Sequence, residues 1–131
     1  NTEINGFDVG KCEFLCTDVK NYLKHVTTKY DAIVLDPPAF IKDRRKKKEG
    51  IVGYKNINEM ALRNLSEHGI LVTCSCSAHL SLEEFRYVIS EVAGIIKKPL
   101  RILETFTHDM DHLQLVPFTE GAYLKCFFIT Q

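Results

Sequence analysis

The segment "YDAIVLDPPAF", Tyr30 to Phe40, sets an acidic residue and two prolines directly after an apolar run. Ala32 to Leu35 is short, continuous and apolar beside a turn signal, the pattern of a strand covered on both faces in a parallel sheet. Pro37 and Pro38 fix their own φ angles and bias the residue before each toward extended geometry. The turn is therefore stiff and offers free backbone carbonyls. In open α/β sheets ligands bind beyond the carboxyl ends of the strands, so Asp36 is expected to point into that crevice. Phe40 adds a flat apolar face. A carboxylate, carbonyls and an aromatic face suit a planar heterocycle with donors on its edge; the plainer alternative is that Asp-Pro-Pro only ends a strand.

The rest of the chain alternates around this segment. Lys11 to Cys16 reads as a short strand. Val19, Tyr22, Leu23 and Val26 recur at helical spacing. Lys42 to Glu49 is almost all charge and reads as a mobile loop. A helix is expected near Tyr54 to Glu67, with Ile57, Met60, Ala61 and Leu65 inward and Gly69 as its C-cap glycine. Ile70 to Thr73 is the next buried strand. "SLEE", Ser81 to Glu84, matches a capping box. The helix it opens carries Phe85, Val88, Ile89, Val92 and Ile96 on one face, and Pro99 follows its end. Leu100 to Phe106 and Tyr123 to Ile129 complete a β-α-β-α-β-α-β-β order. Such alternation implies an α/β fold: a parallel sheet with covering helices, closed by an antiparallel pair.

Composition narrows the classes. A chain of 131 residues is one domain or part of one. Seventeen basic residues balance 17 acidic ones, so any polyanion-binding patch must be local. The one such patch is "KDRRKKK", Lys42 to Lys48, with six basic residues against Asp43. It suits either a grip on RNA phosphates or a solvated loop. No apolar stretch is long enough to span a bilayer, and "NTEING" lacks the features of a signal peptide. Five cysteines without paired spacing point to free thiols in a reducing cytoplasm.

"LVTCSCSAHLS", Leu71 to Ser81, occupies the end of the strand expected beside Asp36. Cys76 falls at or just past that end, in the same crevice, where a thiolate would be a soft nucleophile. A free cysteine is also often a small buried hydrophobe. Cys74 and Cys76 lack a second ligand pair at zinc spacing. Cys12 and Cys16, four apart on a strand, would lie roughly 13 Å apart. Cys126 reads as core. His79 is expected at the surface of a helix entry. "HDMDH", His108 to His112, forms a loose cluster in a linker, and no metal is assigned to it.

"DAIVLDPPAF", "GYKNIN", "GILVTCSCS" and "EGAYLKCFF", with "FDV" (Phe7 to Val9) and "DVKNYL" (Asp18 to Leu23) before them, fall in an order that resembles bacterial ribosomal RNA large-subunit methyltransferase I and its relatives. These are class I S-adenosylmethionine-dependent enzymes that form 5-methylcytosine in 23S ribosomal RNA. The resemblance covers nearly the whole chain. It implies a Rossmann-like sheet in the family order 3-2-1-4-5-7-6, with S-adenosylmethionine as cofactor and ribosomal RNA as partner. It implies that Asp18 contacts the adenine of the methyl donor, and that Asp36, Pro37 and Pro38 lie between donor methionine and target base. Cys76 matches the nucleophile, and Cys74, where relatives often carry an aromatic, is left to packing. Phe40, Tyr54, Lys55 and Asn58 fall on the substrate side. Ala39 replaces a lysine that often follows the two prolines.

The implied chemistry is coherent. Carbon 5 of cytosine is a poor nucleophile, and thiolate addition at carbon 6 makes it a good one. Charge relief at ring nitrogen 3 would come from Asp36, kept protonated by burial. The target must leave its stack or already be single-stranded. The family's glycine-rich turn and the acidic residue after its second strand do not occur here. The chain therefore reads as the C-terminal portion of a longer catalytic domain, residues 1–131, with strands 1 and 2 of the sheet missing. Exposed sheet edges are then expected to rearrange or to recruit a second copy as a homodimer. Two other functions fit the same motifs: an exocyclic-amine methyltransferase using the Asp-Pro-Pro-Ala-Phe turn, with Cys76 incidental, and a non-catalytic RNA-binding domain of the same fold.

Overall fold

The computed structural model describes residues 1–118 and 121–131. Its regular elements are α1 (Val19–His25), β1 (Tyr30–Leu35), α2 (Lys47–Asn64), β2 (Leu65–Ser75), α3 (Leu82–Ile96), β3 (Arg101–Phe106) and β4 (Lys125–Thr130). The four strands form one sheet in the order β1-β2-β4-β3. β1 and β2 run parallel, and β4 is antiparallel to both β2 and β3. This is the 4-5-7-6 half of the expected order, with the antiparallel closure where it was anticipated.

Alternation along the strands gives the sheet two unlike faces. Leu35, Leu71, Phe127 and Ile129 are buried with Tyr54, Ile57, Ala61 and Leu62 of α2 and Phe85, Val88, Ile89 and Val92 of α3. The rings of Phe85 and Phe127 stack at 5.2 Å between centroids. On the other face Val34 is 72% exposed and Phe106 51% exposed. β1 is therefore an edge strand, and the expectation that Ala32 to Leu35 is covered on both faces fails. Its run is apolar because one side packs on α2, while the other lacks a cover among the described residues.

Three further expectations are corrected. Lys11 to Cys16 forms no strand: Val9–Lys11 is a 3-10 turn, and the residues after it are exposed and belong to no strand. Without a neighbour to complete the hydrogen-bond ladder, an apolar run alone does not make a strand. The charged segment is not one loop: Arg44–Lys46 is a 3-10 turn, and Lys47 to Glu49 already lie in α2. Lys and Glu are good helix formers, Glu49 sits favourably in the first turn, and Lys47 reaches Glu84 of α3 at 2.6 Å. Gly69 caps no helix. α2 stops at Asn64, β2 starts at once, and the β1–β2 register jumps from Leu65 to Ile70. Gly69 belongs to that bulge, where an added Cβ would lie 2.7 Å from Leu65 Cγ.

The capping box holds as read. Ser81 Oγ accepts from Glu84 N at 3.1 Å, and Glu84 Oε2 accepts from Ser81 N at 2.8 Å. Lys97, in the left-handed region at φ 56°, closes α3 two residues before Pro99. Among the described residues no helix is long and apolar enough to cross a membrane.

Candidate active site

The carboxyl ends of the parallel strands β1 and β2 lead into two turns, and Asp18, Asp36, Pro37, Pro38, Phe40 and Cys76 lie at or beside them. The first turn is Asp36-Pro37-Pro38. Pro37 is buried, and Asp36 and Pro38 are exposed. An open cleft beside it is lined by Asp18, Lys20, Val34, Asp36, Phe40 and Ile57, with Pro37 and Pro38 at its edge. Four of the residues expected at the donor site, Asp18, Asp36, Pro37 and Pro38, thus share one wall with Phe40. Asp18 reaches the cleft because it is the N-cap of α1, accepting from Asn21 N at 2.8 Å through one carboxylate oxygen. Asp36 departs from the expectation of a buried acid, because the turn projects it beyond the sheet into solvent.

Phe40 is held by close packing. Its ring lies 4.8 Å from that of Tyr54 and so near Gly53 that a Cβ there would sit 3.2 Å from the ring. Gly50, one turn earlier on α2, admits the Phe40 backbone: a Cβ at this position would meet Phe40 O at 2.9 Å and Ile41 Cγ1 at 2.3 Å. The two glycines let α2 press on the segment after the prolines. Lys20 Nζ stands 5.4 Å from the centre of the Phe40 ring, a cation–π arrangement that adds a positive charge to the cleft. A second groove shares Pro38 and Phe40 with the cleft and continues to Lys42, Asp43, Arg45 and Lys46.

The second turn carries Cys76, just past the end of β2. Its Sγ lies 4.0 Å from the Pro37 carbonyl oxygen, which joins the two turns at the predicted nucleophile. A side-chain network pins the backbone around it. Tyr54 OH lies 2.9 Å from both Ser77 Oγ and Ser75 Oγ, and Ser77 Oγ accepts from Ile41 N at 3.2 Å. Lys125 Nζ donates to the carbonyls of Ser77 and Tyr123, each at 2.6 Å. Asn58 accepts from Thr73 Oγ1 at 2.7 Å and donates to Tyr54 O at 2.9 Å, so the network reaches back along α2 and β2.

These contacts sort the residues expected on the substrate side. Phe40 faces the cleft. Tyr54 and Asn58 are completely buried and spend their polar atoms on the network. Lys55 pairs with Glu91 of α3 at 2.7 Å. The two neighbouring cysteines also differ. Cys74 sits opposite Cys126 across β2 and β4, and burial with the Cys126 thiol beside it pushes its pKa up to about 12. It therefore remains a thiol and a poor nucleophile at neutral pH. Cys76 is half-buried and opens toward the cleft turn.

Sequence reading missed Lys20, Ser75, Ser77 and Lys125. Three had a local signal: Ser75 and Ser77 flank Cys76 in "GILVTCSCS", and Lys125 lies in "EGAYLKCFF". Glu120 of that motif lies outside the described residues. His108 and His112 stack at 4.8 Å around Tyr123. Among the described residues no group of three or more side chains is arranged to hold a metal ion.

No protein-family model matches the chain. Ribosomal RNA large subunit methyltransferase I of Klebsiella pneumoniae and that of Escherichia coli are each 35% identical to it over 130 residues, 97% of this chain. The chain spans about a third of their length, 32% and 33% respectively. Among solved structures, a candidate methyltransferase in complex with S-adenosylhomocysteine aligns over 99% of the chain with a TM-score of 0.83 and 25% identity. A candidate S-adenosylmethionine-dependent methyltransferase from Streptococcus mutans aligns with a TM-score of 0.82, also at 25% identity. The chain covers 34% of each of these structures. Sequence and fold together make this chain a relative of the S-adenosylmethionine-dependent methyltransferases, matched over nearly its whole length by the ribosomal RNA large subunit methyltransferase I proteins.

Proposed function

We propose that this chain carries the target-base side of an S-adenosylmethionine-dependent ribosomal RNA methyltransferase, forming 5-methylcytosine through a covalent Cys76 adduct. The observation that carries the reading is the 4.0 Å approach of Cys76 Sγ to the Pro37 carbonyl, which sets a thiol against the Asp-Pro-Pro turn. The cleft suits the donor. Asp18 and Asp36 offer carboxylates to a cationic nucleoside between the apolar walls of Val34, Phe40 and Ile57. S-adenosylmethionine, when bound, supplies an electrophilic methyl group on a sulfonium.

The chain's own residues do the rest. The Cys76 thiolate adds to carbon 6 of cytosine, forming the C–S bond and moving the ring electrons toward carbon 5 and nitrogen 3. A proton is needed at nitrogen 3. The Asp36 carboxyl is the nearest acid on the turn, and its exposure means that the bound base, rather than the fold, must exclude water from it. Once carbon 5 is methylated, loss of its proton to a base expels the thiolate and restores the ring double bond. The Pro37 and Pro38 carbonyls can accept from the exocyclic amine while Phe40 supplies a stacking face. The groove running from Phe40 to Lys42, Arg45 and Lys46 suits the phosphates of the same RNA strand. A ribosomal RNA substrate is in keeping with a cytoplasmic protein.

This chain alone is expected to be inactive, so Cys76→Ala in the full-length protein is the test. Loss of methyl transfer to ribosomal RNA, with S-adenosylhomocysteine binding retained in calorimetry, is the expected result. Retained methyl transfer would overturn the carbon 5 reading and leave an exocyclic-amine methyltransferase using the same turn. A protein that binds RNA but no donor would favour the non-catalytic alternative. The bare edge strand β1, with Val34 exposed, also supports a homodimer; a monomer by size-exclusion with light scattering would refute it.

A further inference from the structure

Lys125 is a charged side chain in an unusual place. Only 3% of it is exposed, although it lies in β4 opposite Ser75, one residue before Cys76 on the neighbouring strand. Burying an ammonium is costly unless its donors are met. Two are, by the Ser77 and Tyr123 carbonyls. Among the described residues no carboxylate lies within ion-pair distance of it. Glu84 on α3 is engaged by Lys47 at 2.6 Å and by Ser81 N at 2.8 Å.

We propose that Lys125 is a positioning residue for Cys76: it locks the turn through the Ser77 carbonyl and holds a positive charge next to the thiol turn at neutral pH. The proposal rests on the reading of Cys76 as nucleophile. A neutral donor of the same length would satisfy the carbonyls equally well, so geometry alone would not require a charge here. The charge acquires a use when an anion forms beside it. Burial lowers the Lys125 pKa to about 8, while Cys76 and Glu84 act in the opposite direction. The charged and titratable groups that act on the ammonium are Cys76 after β2 and Glu84 on α3, and the ammonium in turn acts on His108 before β4. Burial, then His112, then Lys125 itself lower the pKa of His108, so it adds little positive charge of its own at neutral pH.

The experiment reads Cys76 directly. Iodoacetamide reacts with a thiolate by forming a C–S bond and expelling iodide. Its rate at Cys76 is followed peptide by peptide across about pH 6 to 9, with exposed Cys12 of the same molecule as reference. Lys125→Met is expected to slow Cys76 about tenfold relative to Cys12 at neutral pH and to move its profile to higher pH. Lys125→Arg keeps the charge and is expected to stay within about threefold of the unmodified protein. A Met variant that is folded by circular dichroism and alkylates like the parent would overturn the proposal. If Lys125→Met does not fold, Cys76→Ser decides with the lysine intact. In 15N NMR of the lysine side chain, the titration midpoint of Lys125 should fall when the thiol is removed, and an unchanged midpoint would overturn the proposal. Methyl transfer by Cys76→Ala separates the two ideas. If that variant still transfers methyl groups while Cys76 alkylation depends on Lys125, the nucleophile reading fails and the pairing stands.

Discussion

The two turns that form the site are stiffened in different ways. The turn after β1 owes its shape to covalent geometry: Pro37 and Pro38 fix two φ angles and need few partners. The turn after β2 has no proline. Tyr54 from α2, Ser75 from β2 and Lys125 from β4 hold it through side-chain hydrogen bonds. One turn exposes a carboxylate to a ligand, and the other presents a thiol from a satisfied polar core. A covalently stiff turn can stand at a bare sheet edge, whereas a hydrogen-bonded one needs elements on every side. This matches their places in the sheet, with β1 outermost and β2 between two strands.

The largest effect should come from breaking what the two turns share. Gly50 admits the Phe40 backbone and Ile41, and Ile41 N in turn donates to Ser77 Oγ. Gly50→Ala inserts a methyl group where backbone already stands at 2.9 Å, and backbone cannot swing aside as a side chain can. Overpacking of this kind costs about 1–3 kcal/mol. We expect the upper end in urea unfolding, with weakened donor binding because Phe40 shifts. A variant of parental stability would mean that α2 does not press on the segment.

Tyr54→Phe should follow. It keeps the ring contacts with Phe40 and Phe85 and removes only the hydroxyl shared by Ser75 and Ser77. Leaving buried hydroxyls short of a partner costs about 1–2 kcal/mol. The comparison sharpens if the chemistry at Cys76 suffers while S-adenosylhomocysteine binding beside the proline turn does not. Equal loss of both would mean that the two turns move as one.

The contrast also explains what the sequence disclosed. The proline turn is written in five consecutive residues, and local rules suffice to read it. The same holds for the Ser81 capping box and, from Val19 onward, for the order of strands and helices. The long-range links of the polar network join residues 15 to 48 positions apart in the chain, and no local pattern announces them. The motif "GYKNIN" marks Tyr54 and Asn58 without showing that both side chains are buried in the core. The exposure of Asp36 and the missing strand at Lys11 to Cys16 failed for a related reason. Burial and pairing depend on neighbours that a segment does not contain, and an apolar run does not say what covers it.

Lys125 predicts a pH effect with a definite sign. Its pKa falls from 10.5 to about 8 on folding, so the native state gives up its proton first. Below about pH 8 both states hold the proton and the cost of burying the charge is fully present. Between about pH 8 and 10.5 the unfolded state binds more protons, and this group's contribution to stability rises with pH. The difference in unfolding free energy between the parent and Lys125→Met should therefore change over that window and be flat below it. A difference that does not vary with pH would show that the lysine is not buried as a cation.

The smallest effect concerns the far side of the thiol turn. Ser81 caps α3 five residues after Cys76, and Glu84 completes the box while also meeting Lys47 of α2. Ser81→Ala removes one partner of the first helical turn and should cost about 1 kcal/mol. The pin at Ser77 lies closer to Cys76 than the cap does, and three elements hold it independently of Ser81. Cys76 alkylation should therefore keep its parental rate in Ser81→Ala while the melting temperature falls. If the rate changed too, rigidity of the thiol turn would have to reach it from the α3 N-terminus, and the network of Tyr54, Ser75 and Lys125 would not be sufficient to hold it.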